Sequence, residues 1–187
     1  MISREEALAI VRDYVKNENL VRHMLAVEAA MRWYARKFGE DEERWGLVAL
    51  LHDFDWEIHP DLERHPQAGA PILRELGIEE DIIEDILSHA DHTGVPRDTT
   101  LRKALAACDE LTGLITATAL VRPTKDIRDV AVKSVMKKWK VPSFAAGANR
   151  DEMDESIEAF GVEKREHVGN VLEAMQGIAE ELGLAGG

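Results

Sequence analysis

Apolar residues recur at three- and four-residue intervals along nearly the whole chain, and nowhere do they alternate over a useful length. This pattern constrains the fold more than any other feature. A 3.6-residue period builds amphipathic helices, and without a 2-residue period there are no half-buried strands from which to make a sheet. Ser3 and Glu6 have capping-box spacing, followed by Ala7, Leu8, Val11, Tyr14 and Val15 on one face. A second helix is expected from about Asn19 to Lys37, ended by Gly39, and a third from Asp41 through Trp45, Val48, Leu51 and His52. An irregular polar loop covers residues 54–64. Helices are then expected over Pro66–Leu76, Glu79–Ser88 and Leu101–Val121, the last capped by Thr99 or Thr100. Thr93–Pro96 reads as a turn. One helix is expected across Asp126–Trp139, another from Asn149, and a last from Glu163 to Leu182. The expectation is an all-α bundle of eight to nine helices, with any boundary near Pro123.

Polar residues stand where such a bundle has little room for them. The apolar run Gly46–Leu51 ends in His52-Asp53, and Asp109 lies inside the apolar Leu101–Val121 helix. Burying an unpaired imidazole or carboxylate is costly, so these groups need a partner. His23 lies beside the apolar face of the second helix, His65 begins the fourth and His89 ends the fifth. Imidazole and carboxylate together suit zinc, iron, manganese, nickel or cobalt, whereas the single Cys108 excludes a zinc ribbon or an iron–sulfur cluster. One ion would use His23, His52, Asp53 and Asp109. A second would use His65, His89 and the other oxygen of Asp53. Each residue alone has a plainer reading, that of a packed and hydrogen-bonded side chain. Asp109 carries the most information because its burial demands compensation.

The net charge of −13 argues against a general nucleic-acid binder. Between Arg122 and Lys140, however, stand seven basic and two acidic residues. This segment reads either as a solvated helix face or as a wall that attracts phosphate. Lys133, Lys137 and Lys140 share one face at helical spacing and are the candidates for phosphate contacts. His92 is a further candidate for touching substrate, with solvent exposure on the turn as the plainer alternative. For Asp55 and Glu57 the favoured reading is hydration of their loop, and for His167 a structural role. No apolar run is long enough to cross a bilayer, the N-terminus lacks a signal-peptide pattern, and one cysteine suits a reducing, cytoplasmic setting.

The order His23, His52-Asp53, His65, His89, Asp109 resembles the HD superfamily of metal-dependent phosphohydrolases. Leu50-Leu51-His52-Asp53 is similar to its apolar helix ending in HD, and His65 to Leu73 to its H-x-x-x-G-x-x-I/L-L element. Ile86–His89 and Ala106–Asp109 resemble the helices carrying its later histidine and its last aspartate. The match covers about residues 20–115. It implies an HD-type metal-binding helical core over 1–122 and a basic helical extension over 123–187 that packs on it. Divalent metal is implied, one or two ions of iron, manganese, nickel, cobalt, zinc or magnesium, with His65 and His89 placing the chain in the two-metal branch. The implied activity is hydrolysis of a phosphomonoester, or of a nucleotide phosphodiester or anhydride, by a hydroxide that the metals hold. His52 and Asp53 are the implied catalytic pair, and a small phosphorylated molecule, a nucleotide among the options, is the implied partner. A di-iron oxygenase on the same ligands and a non-catalytic nucleotide-binding module are the alternatives. The cyclic-dinucleotide enzymes of that branch that bind a third metal are disfavoured, because Asn19 stands where they carry a glutamate and Trp56 where they carry a lysine.

Overall fold

A computed structural model describes residues 1–187 as nine α-helices with no strand. The helices are α1 (Arg4–Tyr14), α2 (Glu18–Phe38), α3 (Glu42–Leu51), α4 (Ala70–Glu75), α5 (Glu80–Leu87), α6 (Thr100–Leu120), α7 (Val132–Trp139), α8 (Arg150–Phe160) and α9 (Lys164–Gln176). None is long and apolar enough to cross a membrane. Local chemistry explains most of the boundaries. The Ser3 hydroxyl accepts from Glu6 N while the Glu6 carboxylate accepts from Ser3 N, which satisfies free amides at the start of α1. The side chains of Asn17, Asp41, Thr99 and Asn149 accept from backbone N–H groups and so cap α2, α3, α6 and α8. Gly39 ends α2 at φ 69°, a left-handed conformation that glycine adopts without strain.

The apolar stripe of α2 (Val21, Met24, Val27, Met31, Tyr34) packs against α3, α6 and α9. In α3, every residue from Trp45 to Leu51 is buried, as suits a helix that is apolar all round and lies at the centre. The 47 buried apolar side chains form one cluster running from Ala7 to Leu184. Val135, Trp139, Met153, Ile157 and Val171 from beyond Pro123 belong to it alongside the α2 and α3 residues.

Three expected helices differ. The fourth begins at Ala70 instead of Pro66, and residues 61–69 run as successive turns in which His65 N donates to Asp61 O and Gly69 N to Pro66 O. A helix begun at Pro66 would hold Pro71 in its interior, where the missing N–H and the ring clash break it; begun at Ala70, Pro71 lies in the first turn, where no N–H is needed. The basic segment is likewise not one helix. The Asp126 carboxylate accepts from Arg128 N and caps a short 3-10 turn over Ile127–Asp129, Val130 is extended, and α7 starts only at Val132. Distant groups satisfy the backbone at this break: Ile127 N donates to Leu184 O, and Gln176 Nε2 donates to Ile127 O and Val130 O. The final helix stops at Gln176 and continues as turns to Gly183.

Buried polar groups tie the helices together. Asp85, on α5, accepts from Arg44 Nη2 at 2.6 Å and from Arg102 Nε at 2.7 Å, and so joins α3, α5 and α6. Removing one member of a buried ion pair leaves the others desolvated and uncompensated. Asp85→Ala should therefore lower the unfolding free energy by about 3 kcal/mol, read as a lower urea midpoint with an unchanged slope.

His167 links three helices. Its Nδ1 lies 2.6 Å from the Tyr34 hydroxyl and its Nε2–H donates to Ala107 O at 2.8 Å, while Asn170 donates to the Tyr34 oxygen. Burial pulls its pKa down to about 4 from an ordinary 6.5, with the Ala107 hydrogen bond opposing. A depressed histidine pKa means that the unfolded chain binds the proton first. Its contribution is whole above pH 6.5 and is lost as pH falls toward 4. Denaturant titrations should show a loss on the order of 3 kcal/mol across that window, and the slope should flatten in His167→Phe.

Candidate metal centre

Five segments deliver six side chains to one point. His23 projects from α2. His52 ends α3 and Asp53 follows it, both fixed by the buried Leu47–Leu51 run behind them. His65 stands in the turns before α4, His89 lies two residues past α5, and Asp109 sits in the middle of α6. Asp109 Oδ1 lies 3.0 Å from His23 Nε2 and 3.3 Å from His52 Nε2. Asp53 Oδ2 lies 3.5 Å from each of the same two nitrogens. The other Asp53 oxygen, Oδ1, faces His65 Nε2 at 3.2 Å and His89 Nε2 at 3.3 Å. The donors thus divide into two groups, His23–His52–Asp53–Asp109 and Asp53–His65–His89, with the atoms of each within 4.8 Å of one another.

The tautomers follow from what lies behind each ring. His52 Nδ1 contacts Ala49 O at 2.6 Å and His89 Nδ1 contacts Ile86 O at 2.6 Å. A carbonyl only accepts, so both Nδ1 atoms carry the proton. The Thr112 hydroxyl donates to Asp109 O and is left to accept from His23 Nδ1 at 3.4 Å. His65 Nδ1 donates to Asp55 Oδ1 at 2.8 Å. All four Nε2 lone pairs therefore point at carboxylate oxygens or at each other, and His65 and His89 approach to 3.1 Å between Nε2 atoms. Acceptors do not face acceptors at such distances without a cation or a shared proton between them. His52 Nε2 is fully buried and has no hydrogen-bond partner. Donor atoms about 2.1 Å from a common ion stand about 3.0–3.5 Å apart, which is the spacing found. The residues fit a divalent metal.

The electrostatics agree. Burial opposes a charged His52, but Asp53 and Asp109 outweigh it and push its pKa to about 10. His65 is pushed to about 9 by Asp53 and Asp55 against the same opposition. Burial would raise the carboxyls, yet His52 above all holds Asp53 and Asp109 far below the usual range. The metal-free centre gathers protons where an ion would sit.

The centre opens into a cavity of about 740 Å³ with Asp53, His65, His89 and Asp109 at its floor. Trp56, Leu62, residues 89–92, and Glu152, Met153, Ser156 and Ala159 of α8 also line it. A second depression of about 430 Å³ exposes His23 and Asp109 beneath Ala145–Ala148. Arg150 holds this loop, its guanidinium donating to Trp139 O, Ala145 O, Ala148 O and three further carbonyls.

Lys133, Lys137 and Lys140 are exposed on and just after α7 and are not among the residues lining either cavity. The cations that do line the larger cavity are Arg97 and Lys103. Arg97 is occupied, donating to Ser88 O and His89 O and pairing with Asp91, whereas Lys103 has no such partner. His92 lines the cavity, but its Nε2 is within hydrogen-bonding distance of His65 O and Gln67 Oε1. Asp55, read from sequence as loop hydration, is 1% exposed and orients His65. Glu57 instead accepts from Lys16 N and Asn17 N at the start of α2. The sequence signal for Lys103 is its place six residues before Asp109, on the same side of α6 as Ala106 and Glu110.

An all-helical fold with paired histidine–carboxylate groups at a cavity floor defines a class of metal-site domain. The family model for the HD domain matches residues 20–114, half of the chain, and the protein belongs to that family. HD domains bind divalent metals and are generally metal-dependent hydrolases. Among curated proteins, the ribonuclease Y of Oleidesulfovibrio alaskensis is 32% identical over 98 residues, which is 52% of this chain and 18% of that protein. Ribonuclease Y of Nitratidesulfovibrio vulgaris is 31% identical over 98 residues, with the same coverage. The chain thus aligns with less than a fifth of the length of these relatives. No solved structure matches the chain significantly.

Because His52 and His65 hold protons in the metal-free chain at neutral pH, loading the centre must displace them. Calorimetry at pH 7.5 in two buffers of different ionisation enthalpy should show at least one proton released on loading, and apparent affinity should rise with pH.

Proposed function

We propose that the protein is a metal-dependent phosphohydrolase acting on a small phosphate ester, either a phosphomonoester or a nucleotide phosphodiester or anhydride. The observation that carries this reading is the pair of donor groups sharing Asp53, one oxygen to each, at the floor of a cavity. Two ions bound there would supply a nucleophile at neutral pH and neutralise the phosphoryl oxygens. The chain's own contribution is geometric. The Ala49 and Ile86 carbonyls, the Thr112 hydroxyl and the Asp55 carboxylate fix the four rings with Nε2 inward. Asp53, offering one oxygen to each group, would hold both ions from a single side chain.

The wall residues favour a compact substrate. Six carboxylates line the cavity (Asp53, Asp91, Asp109, Glu110, Glu152, Glu155), and the chain carries −13 overall, so a long polyanionic strand is repelled away from the metals. The relatives' name, a ribonuclease, supports the phosphodiester as one bond that this kind of centre cleaves. A second anionic group on the substrate finds Lys103, about 9 Å along α6 from Asp109. Lys103 takes the role that sequence assigned to the α7 lysines.

The two aspartates should behave differently. Metal analysis should find Asp53→Ala depleted of both ions and Asp109→Ala depleted of one. With manganese and a chromogenic phosphodiester, Asp53→Ala should lose turnover by at least about a thousandfold. A wild-type chain that takes up metal but turns over nothing across a broad panel of phosphate esters would overturn the hydrolase reading. Two irons with an oxygen-dependent spectrum would replace it with oxidative chemistry.

A further inference from the structure

We propose that Asp55 is the positioning residue on which occupancy of the His65–His89 half of the centre depends. This rests on the two-ion reading above. The two donor groups are unequal, since four residues serve the first and three the second. Their outer contacts are unequal too. His23, His52 and His89 rest on neutral oxygens, those of Thr112, Ala49 and Ile86, while His65 alone rests on a carboxylate. A carboxylate behind Nδ1 fixes the ring and makes Nε2 a stronger donor, which offsets the missing fourth ligand.

Asp55 is held for this purpose. Phe54, 1% exposed, anchors the preceding residue edge-on against Tyr14, and Ile58 N and His59 N donate to the Asp55 carbonyl, closing a tight turn. The Trp56 ring covers His65 edge-on at 4.9 Å between centroids. Gly69 leaves the space that the carboxylate fills: a Cβ there would lie 2.8 Å from Asp55 Cγ and 3.0 Å from Phe54 Cε1. This gives a physical reason for a glycine four residues after His65. The second carboxylate oxygen, Oδ2, is buried without a partner, so the site tolerates an unsatisfied oxygen to keep the first one on His65.

The test is a cobalt(II) titration followed by absorbance in the d–d region, with metal content by elemental analysis, on the whole chain and its variants. The wild-type chain should take up two ions. Asp55→Ala should keep the first step at wild-type affinity and weaken the second by about 10–100-fold. Asp55→Asn, whose amide oxygen still accepts from Nδ1, should fall between the two. Gly69→Ala, which retains the carboxylate but displaces it, should weaken the second step as well, so the inference does not rest on one variant that fails to fold. His23→Ala should weaken the other step, which assigns the two. Melting of the metal-free variants separates positioning from general destabilisation, since a merely structural role would shift both binding steps together. Two unchanged steps in Asp55→Ala overturn the inference and leave the metal centre standing. Fewer than two ions in the wild-type chain overturn the two-ion reading, and this inference with it.

Discussion

Four imidazole nitrogens and the oxygens of two aspartates lie within hydrogen-bonding distance of one another, and no permanent cation of the chain stands among them. In a low-dielectric setting this is unfavourable unless protons or metal ions intervene. The metal-free chain responds by raising His52 and His65, and a loaded chain would exchange those protons for metal. The rest of the fold can be understood as a frame that keeps these groups from escaping. From Trp45 to Leu51 α3 is buried on every side, which keeps it from rotating His52 away, and α6 carries Asp109 between apolar turns packed on α2 and α9.

Helix ends are suited to this work. His52 and His89 each stand just past a helix C-terminus, where the last carbonyls have lone pairs to spare. Their Nδ1–H groups donate to two of those carbonyls, of Ala49 and Ile86, which also accept from the backbone N–H of His52 and His89, so each ring is fixed by its own helix end. The same economy recurs at Thr112, whose hydroxyl donates to the Asp109 carbonyl one turn back and offers its lone pair to His23. Asp55 is the exception, and it serves the half of the centre with fewer donors.

How much could be read from sequence depended on how local the cause was. Ser3, Asp41, Thr99 and Asn149 announced helix starts because a cap acts within three residues. His52 and Asp109 were conspicuous because a polar group inside an apolar run needs compensation wherever the chain goes. The break at Val130 was not legible, since its carbonyl is satisfied by Gln176, 46 residues away. The late start of α4 was legible in principle, because Pro71 cannot sit in a helix interior. The exposed α7 lysines looked suited to phosphate by spacing alone, but spacing does not say which face of the molecule a helix joins.

The sequence by itself determined an all-helical chain, its caps, and a set of histidines and aspartates ordered as in the HD family. Helical periodicity and capping act over a few residues, and buried polar groups are conspicuous in any fold. The sharing of Asp53 between two groups of histidines is an expectation from sequence order; only the tertiary structure decided the distances that realise it, that Asp55 stands behind His65, and that Lys103 is the cavity's unpaired cation. Those facts depend on ångström-scale distances between side chains on different elements, and no local pattern in the chain encodes such distances.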